Sequence, residues 1–172
     1  MNELLLEFKD ETKKLIDELE SIVNKLDEDP SNSKLFGQFA QIIDRVMGGA
    51  KSLALALPQN AKVLNTIGDY AEVCKAVGYK MSQTKNPALG VIVIAFFSDA
   101  IESLLELLGA FAIDMSSLQQ KNDHLLERLK WLAQQFDPNL RASITSESKL
   151  NSTKQLQNLI FQFQKSSSGA KT

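Results

Sequence analysis

Apolar residues recur at helical spacing through most of this chain, in stretches that end at prolines. Between residues 3 and 27, Leu5, Phe8, Leu15, Leu19, Ile22, Val23 and Leu26 line one side, with Glu, Asp and Lys between them, and predict a first amphipathic helix. Pro30, Pro58, Pro87 and Pro138 each fall between such patterns, as expected of a residue that breaks helix interiors and is tolerated in a first turn. Residues 27 to 33 read as a polar connector, with Ser33 as the N-cap of a second helix. A third helix is expected from about Asn60 to Ser82, buried through Leu64, Ile67, Ala71, Cys74 and Val77. Pro87 opens a fourth, whose first half, ALGVIVIAFF, is apolar on every side. After a break over Gly109 to Asp114, Met115 to Phe136 reads as a fifth, packing through Leu118, Leu125, Leu129, Leu132 and Phe136.

The second helix departs from this regular pattern. On a wheel of about 100° per residue, Leu35, Phe36, Phe39, Ile42, Ile43, Val46, Ala50 and Leu53 gather on one side of it. Gly37, Gln41, Asp44, Arg45 and Gly48 take the other, and Gly49 follows. Each glycine inside a helix costs roughly 1 kcal/mol relative to alanine, which a helix needing only to fold would avoid. In return they leave a smooth surface around Gln41 and Asp44, against which a partner could lie flat.

This stretch resembles the second helix of the histidine phosphotransfer (HPt) domain, especially the one at the N-terminus of chemotaxis histidine kinases. That family reads roughly Phe-x-x-x-His-x-x-Lys-Gly-(Gly/Ser)-Ala, with the small residues admitting a response-regulator receiver domain to the imidazole. Here Phe39 leads into Gln41, Ile42 and Ile43, Asp44 stands where the His would be, and Met47 where the Lys would be. Gly48, Gly49 and Ala50 occupy the small positions. Through the lengths and order of its helices the resemblance extends over residues 1 to 136. It implies a surface that docks receivers without the chemistry of a relay. A carboxylate cannot replace imidazole as the transfer nucleophile, because an acyl phosphate lacks the stability and transfer role of phosphohistidine. Met47 also removes the cation that would favour phosphate.

The expected fold is therefore all-α: an antiparallel up-and-down bundle of four to five helices, HPt-like, over residues 1–136. ASITSESKLNST falls in a linker at 137–152, and a short amphipathic helix follows at 153–164, with Leu156, Leu159, Ile160 and Phe163 on one side. Residues 165–172 read as disordered. So short a helix is marginal alone and needs a docking surface, on this bundle or on a partner, of which the bundle itself is the simpler.

Composition narrows the function. At 172 residues with 44% hydrophobic content, the chain can bury a sizeable core. Its net charge of −2, with both signs interspersed, provides no field for nucleic acid or anionic lipid. A single cysteine leaves no internal disulfide, and the N-terminus lacks a signal-peptide pattern, so the reading is cytoplasmic. Ten apolar residues in the fourth helix are short for a membrane span, with Asp99, Glu102 and Glu106 following, and suggest a central bundle helix. Its surplus apolar face could alternatively pair with a second copy.

Residues capable of chemistry are few. His124, the only histidine, lies on the flank of the fifth helix beside Trp131, in a setting without small residues. Cys74 falls on the buried stripe of the third helix, where cysteine acts as a small hydrophobe. Neither a metal-ligand spacing nor a phosphate loop occurs, so no cofactor is expected, and Mg²⁺ enters only through a bound receiver.

Three functions follow. The first is a catalytically silent module that docks a receiver domain through Gly37, Gln41, Asp44, Arg45, Gly48 and Gly49, as adaptor, competitor or sink. The second is an aspartyl-phosphate phosphatase, with Asp44 and Gln41 as acid and amide one turn apart. The third is a structural or assembly bundle outside phosphorelay.

Overall fold

In a computed structural model, the structure describes residues 2–112, 124–125, 127–128, 131–132, 134–140 and 161. Four long helices account for most of them: α1 (Glu3–Glu28), α2 (Ser33–Ala56), α3 (Ala61–Ser82) and α4 (Pro87–Gly109). Short 3-10 turns at Pro58–Asn60 and Ala110–Ala112 follow α2 and α4.

Polar caps and prolines set the helix starts. Asn2, Asn32 and Asn86 each accept a backbone N–H of the first turn, at Leu4, Leu35 and Leu89 respectively. Asn32, rather than the expected Ser33, therefore caps α2. The reason lies one turn upstream, where Asp29 accepts from the Ser31 hydroxyl and the Asn32 N–H bonds the Asp29 carbonyl, placing Asn32 at the point of entry. Pro87 occupies the first turn of α4, where its missing N–H costs nothing.

The helices form an antiparallel bundle in which α1 packs on α2 and α4, and α3 packs on α2 and α4. Cross-helix neighbours give the register. Ser82 lies against Gly37, Ala40 against Gly78, Lys75 against Asp44, and Glu72 against Lys51, so residue numbers fall on α3 as they rise on α2. Likewise Glu11 reaches Arg45, and Phe8 lies beside Gly49. Lys9 sits 5.5 Å from the centre of the Phe111 ring, bringing the start of α1 to the end of α4.

At the centre Phe39 stacks on Phe97 with ring centroids 3.8 Å apart, and Phe36 and Phe96 tilt against the same ring. Leu19, Leu26, Ile43, Val46, Ile67, Val77, Val93 and Leu104 surround them in one continuous core. Pairing is closest between α2 and α3, because Gly78 brings its backbone against Ala40 and the Phe36 carbonyl.

Two helices are buried more broadly than one stripe predicts. In α3 every residue from Ala76 to Met81 is buried, Lys80 included. The apolar run of α4 belongs to a helix of 23 residues, so run length does not argue against a span. Among the described residues it is the one helix long and apolar enough to cross a membrane, yet 56% of its apolar window is buried inside the bundle. Part of that cover comes from Leu125, Leu132 and Phe136, which join the main core. Residues 124–125, 127–128, 131–132 and 134–135 are helical, a turn at Asp137–Asn139 follows, and Leu140 folds back against the core. The expected break at Ile113 and Asp114, the first residues of the expected fifth helix, and the tail residues Leu156, Leu159, Ile160 and Phe163 lie outside the described residues.

Candidate functional site on the outer face of α2

Phe36, Phe39, Ala40, Ile43, Val46, Ala50 and Ala54 turn α2 toward the core, leaving an opposite face of Gln41, Arg45, Gly48 and Ser52 in solvent. The six residues singled out in the sequence separate here. Gly37 faces α3, with the Ser82 Cβ 3.7 Å from where a side chain would begin. Gly49 turns to α1, with the Phe8 ring 3.3 Å away. Arg45 reaches Glu11 at 3.4 Å, an exposed pair worth well under about 1 kcal/mol. Gln41 and Gly48 remain on the open face, and nothing comes within 4 Å of a Cβ built at Gly48.

Comparison of the glycines isolates the unusual one. A Cβ at Gly78 would stand 3.0 Å from the Ala40 Cβ and 3.2 Å from the Phe36 carbonyl oxygen. One at Gly68 would meet the Lys51 stem at 2.8 Å, and one at Gly90 would collide with the Pro30 carbonyl oxygen. Those three allow close approach of a neighbour. Gly109 also faces open space, but it ends α4, where glycine is common. Gly48 lies two turns inside α2 and relieves no contact within the chain.

Asp44 occupies the border between the open face and α3. Its Oδ1 accepts from the Lys75 Nζ at 2.8 Å, with Lys75 largely buried and the carboxylate about half exposed. One and two turns along, Lys51 crosses the gap left by Gly68 to Glu72 at 2.5 Å and lies 3.9 Å from Asp69. Burial raises the Asp69 carboxyl above its ordinary range, against the pull of Lys51. Burial, and then the charge of Asp44, push the Tyr79 phenol up in the same way. A seam of opposite charges therefore ties α2 to α3 along the edge of the open face. Neither Lys75 nor this seam was visible in the sequence, since helical spacing shows which face a residue takes but not which residue opposes it. The Asp69, Glu72, Lys75 series, spaced by three, was its one available trace.

Met47, in the position of the family's Lys, packs partly buried against the core. His124 is exposed, on the segment whose Arg128 pairs with Asp99 of α4 and whose Phe136 lies over Lys80 of α3. Cys74 is fully buried, and burial pushes its thiol far up, so it is no nucleophile. Among the described residues no three His, Cys, Asp or Glu side chains come together as a metal site would require.

No protein-family model matches the chain, and neither a curated protein nor a solved structure matches it significantly.

Proposed function

We propose that the chain is a catalytically silent, HPt-like docking module that binds a response-regulator receiver domain through the outer face of α2. Gly48 carries the reading: it costs helix stability, relieves no internal contact and lies open to solvent on the face it shares with Gln41 and Arg45. Asp44 in place of the acceptor imidazole, held by Lys75, suits a docking role and offers no group for phosphoryl transfer. The phosphatase reading has less support, since Lys75 already engages one oxygen of the Asp44 carboxylate. Mg²⁺ would arrive with the receiver, and the setting would be the cytoplasm.

A second reading rests on α4, where Val91 and Ile92 are exposed beside Ala88 and Ala95. That apolar strip favours self-association, as in an assembly bundle.

The test is titration of receiver domains from the same organism, phosphorylated and not, with and without Mg²⁺, onto the chain and its Gly48→Arg variant. Docking predicts binding that Gly48→Arg abolishes while the circular dichroism spectrum is unchanged. Accelerated loss of receiver phosphate would replace it with the phosphatase reading. A folded Gly48→Arg that binds normally would move the interface elsewhere, and no binding at all would leave the assembly reading.

A further inference from the structure

Along the first half of α4 the outward positions are Pro87, Ala88, Val91, Ile92, Ala95 and Ser98, all exposed and none charged. On α1, by contrast, every exposed residue from Glu7 to Lys25 is polar or charged, as a helix facing water requires. Val91 is 56% exposed and Ile92 42%, although the core side of the same helix is already filled by Val93, Phe97, Ala100 and Leu104. These outward side chains therefore add nothing to the fold of a single chain.

Their spacing is that of a seam between two helices. Ala88, Ile92, Ala95, Asp99 and Glu102 follow one another in alternating steps of four and three, and all are exposed. Bulk alternates along the seam, Ile92 standing between Ala88 and Ala95. Two copies of such a seam fit when they run antiparallel. With Ile92 of one copy seated over Ala95 of the second, two-fold symmetry seats the second copy's Ile92 over Ala95 of the first.

Charge selects the same arrangement. Lys85 is exposed just before the Asn86 cap, at one end of the seam, and Asp99 and Glu102 lie toward the other. Asp99 is engaged by Arg128 of its own chain. The register that seats Ile92 over Ala95 carries Lys85 to the second copy's Glu102, at both ends alike. A parallel pair would instead stack Ile92 on Ile92 and set Lys85 against Lys85 and Glu102 against Glu102. The two carboxylates also disfavour an anionic lipid surface as the occupant, since such a surface attracts basic side chains.

We propose that the outer face of α4 is a two-fold interface between copies of this chain, antiparallel about Ile92 and Ala95 and closed at each end by Lys85 with Glu102. The interface rests on the self-associating reading, to which it gives a register, and not on docking by α2. In the bundle α2 and α4 are diagonal, each packing on α1 and α3, so the dimer leaves both α2 faces outward. The overlap from Lys85 to Glu102 is about 27 Å of helix at about 1.5 Å per residue. That is a small interface, below about 1,200 Å² in total, and makes a reversible dimer of micromolar affinity.

Sedimentation of the full chain across the micromolar range should show monomer passing reversibly to dimer. Ile92→Glu puts two carboxylates into the central layer and should abolish the dimer, with the circular dichroism spectrum unchanged because the position is exposed in the single chain. Lys85→Glu and Glu102→Lys should each weaken the dimer by about tenfold, since symmetry doubles every change, and mixing the two variants should restore it. A monomer at every concentration would overturn the interface and the self-associating reading together. A dimer that survives Ile92→Glu, or that ignores both charge reversals, would overturn this interface alone and place self-association on another surface.

Discussion

Replacing Gly48 by alanine should make this protein more stable. A mid-helix glycine is roughly 1 kcal/mol less favourable than alanine, through backbone entropy in the unfolded chain and lost cover for the backbone. Nothing lies within 4 Å of the new methyl group, so the substitution meets no opposing steric term. The expected gain is about 1 kcal/mol, or about 2–4 °C in Tm for a chain of this size. The same calculation changes sign at the packed glycines. At Gly78 a methyl would press on the Ala40 Cβ at 3.0 Å and on a backbone carbonyl at 3.2 Å, so an overpacking cost of about 1–3 kcal/mol exceeds the propensity gain. At Gly90 the obstacle is the Pro30 carbonyl, fixed backbone at the α1–α2 connection, and Gly90→Ala should be the most damaging. Gly37, with ordinary contact to Ser82 at 3.7 Å, should follow Gly48 and gain.

Urea and thermal unfolding of the four alanine variants, followed by circular dichroism, test the ordering. A stabilised Gly48→Ala means that folding does not require that glycine. A Gly48→Ala variant less stable than the parent would refute the reasoning, because it would expose an internal role for the glycine and remove the observation on which docking rests. A stable Gly90→Ala would show the α4–α1 approach to be looser than described.

Two further outcomes follow from the charges. Lys80→Met should stabilise the fold by about 3 kcal/mol at pH 7, since a depression from 10.5 to about 8 disfavours the buried ammonium by about that much. The unfolded state binds more protons than the folded one between about pH 8 and 10.5, so parent stability should rise across that window and the variant's advantage should shrink, as measured by urea midpoints at pH 7 and 9.5. Asp44→Asn should cost only about 0.5 kcal/mol, as the Lys75 pair is half in solvent, and should lower the Tyr79 pKa by removing the nearby negative charge, read from phenolate absorbance. Lys75→Met should cost about as much in stability but leave Asp44 unneutralised, and so weaken receiver binding more than Asp44→Asn does in the same titration.

Much of the fold was legible because each helix carries its own punctuation. Polar connectors and prolines mark the starts, and the stripes through Leu19, Phe39 and Ile67 mark what must be buried. The stripe could not show that α3 would be enclosed from two sides near its end. A helix covered by both a neighbour and a later segment buries residues outside its principal stripe, which is how Lys80 came inside an apolar run reading AVGYKM. The site was legible only as a face. Wheel geometry put Gln41, Asp44 and Gly48 together, but Gly37 and Gly49 serve neighbouring helices, and that depends on how the helices pair rather than on periodicity.

The pairing limits what docking on α2 can consist of. One flank of the helix is held to α3 by Asp44–Lys75 and Lys51–Glu72, the other to α1 by Arg45–Glu11 and the Phe8 ring at Gly49. A partner docking there as proposed would meet a strip one helix face wide, along Gln41, Arg45 and Gly48, and would have to gain its energy from close backbone approach. A receiver's phosphorylation site is itself a cluster of carboxylates around a metal, and a bare Asp44 would repel that cluster whenever the metal is absent. Lys75 changes this balance. Lying 2.8 Å from the carboxylate and mostly buried, it leaves the border of the strip nearly neutral, so that a loaded and an empty acidic site can both approach. A docking surface neutralised in this way would discriminate weakly between the two states of a receiver, as befits an adaptor or sink and not a sensor of phosphorylation.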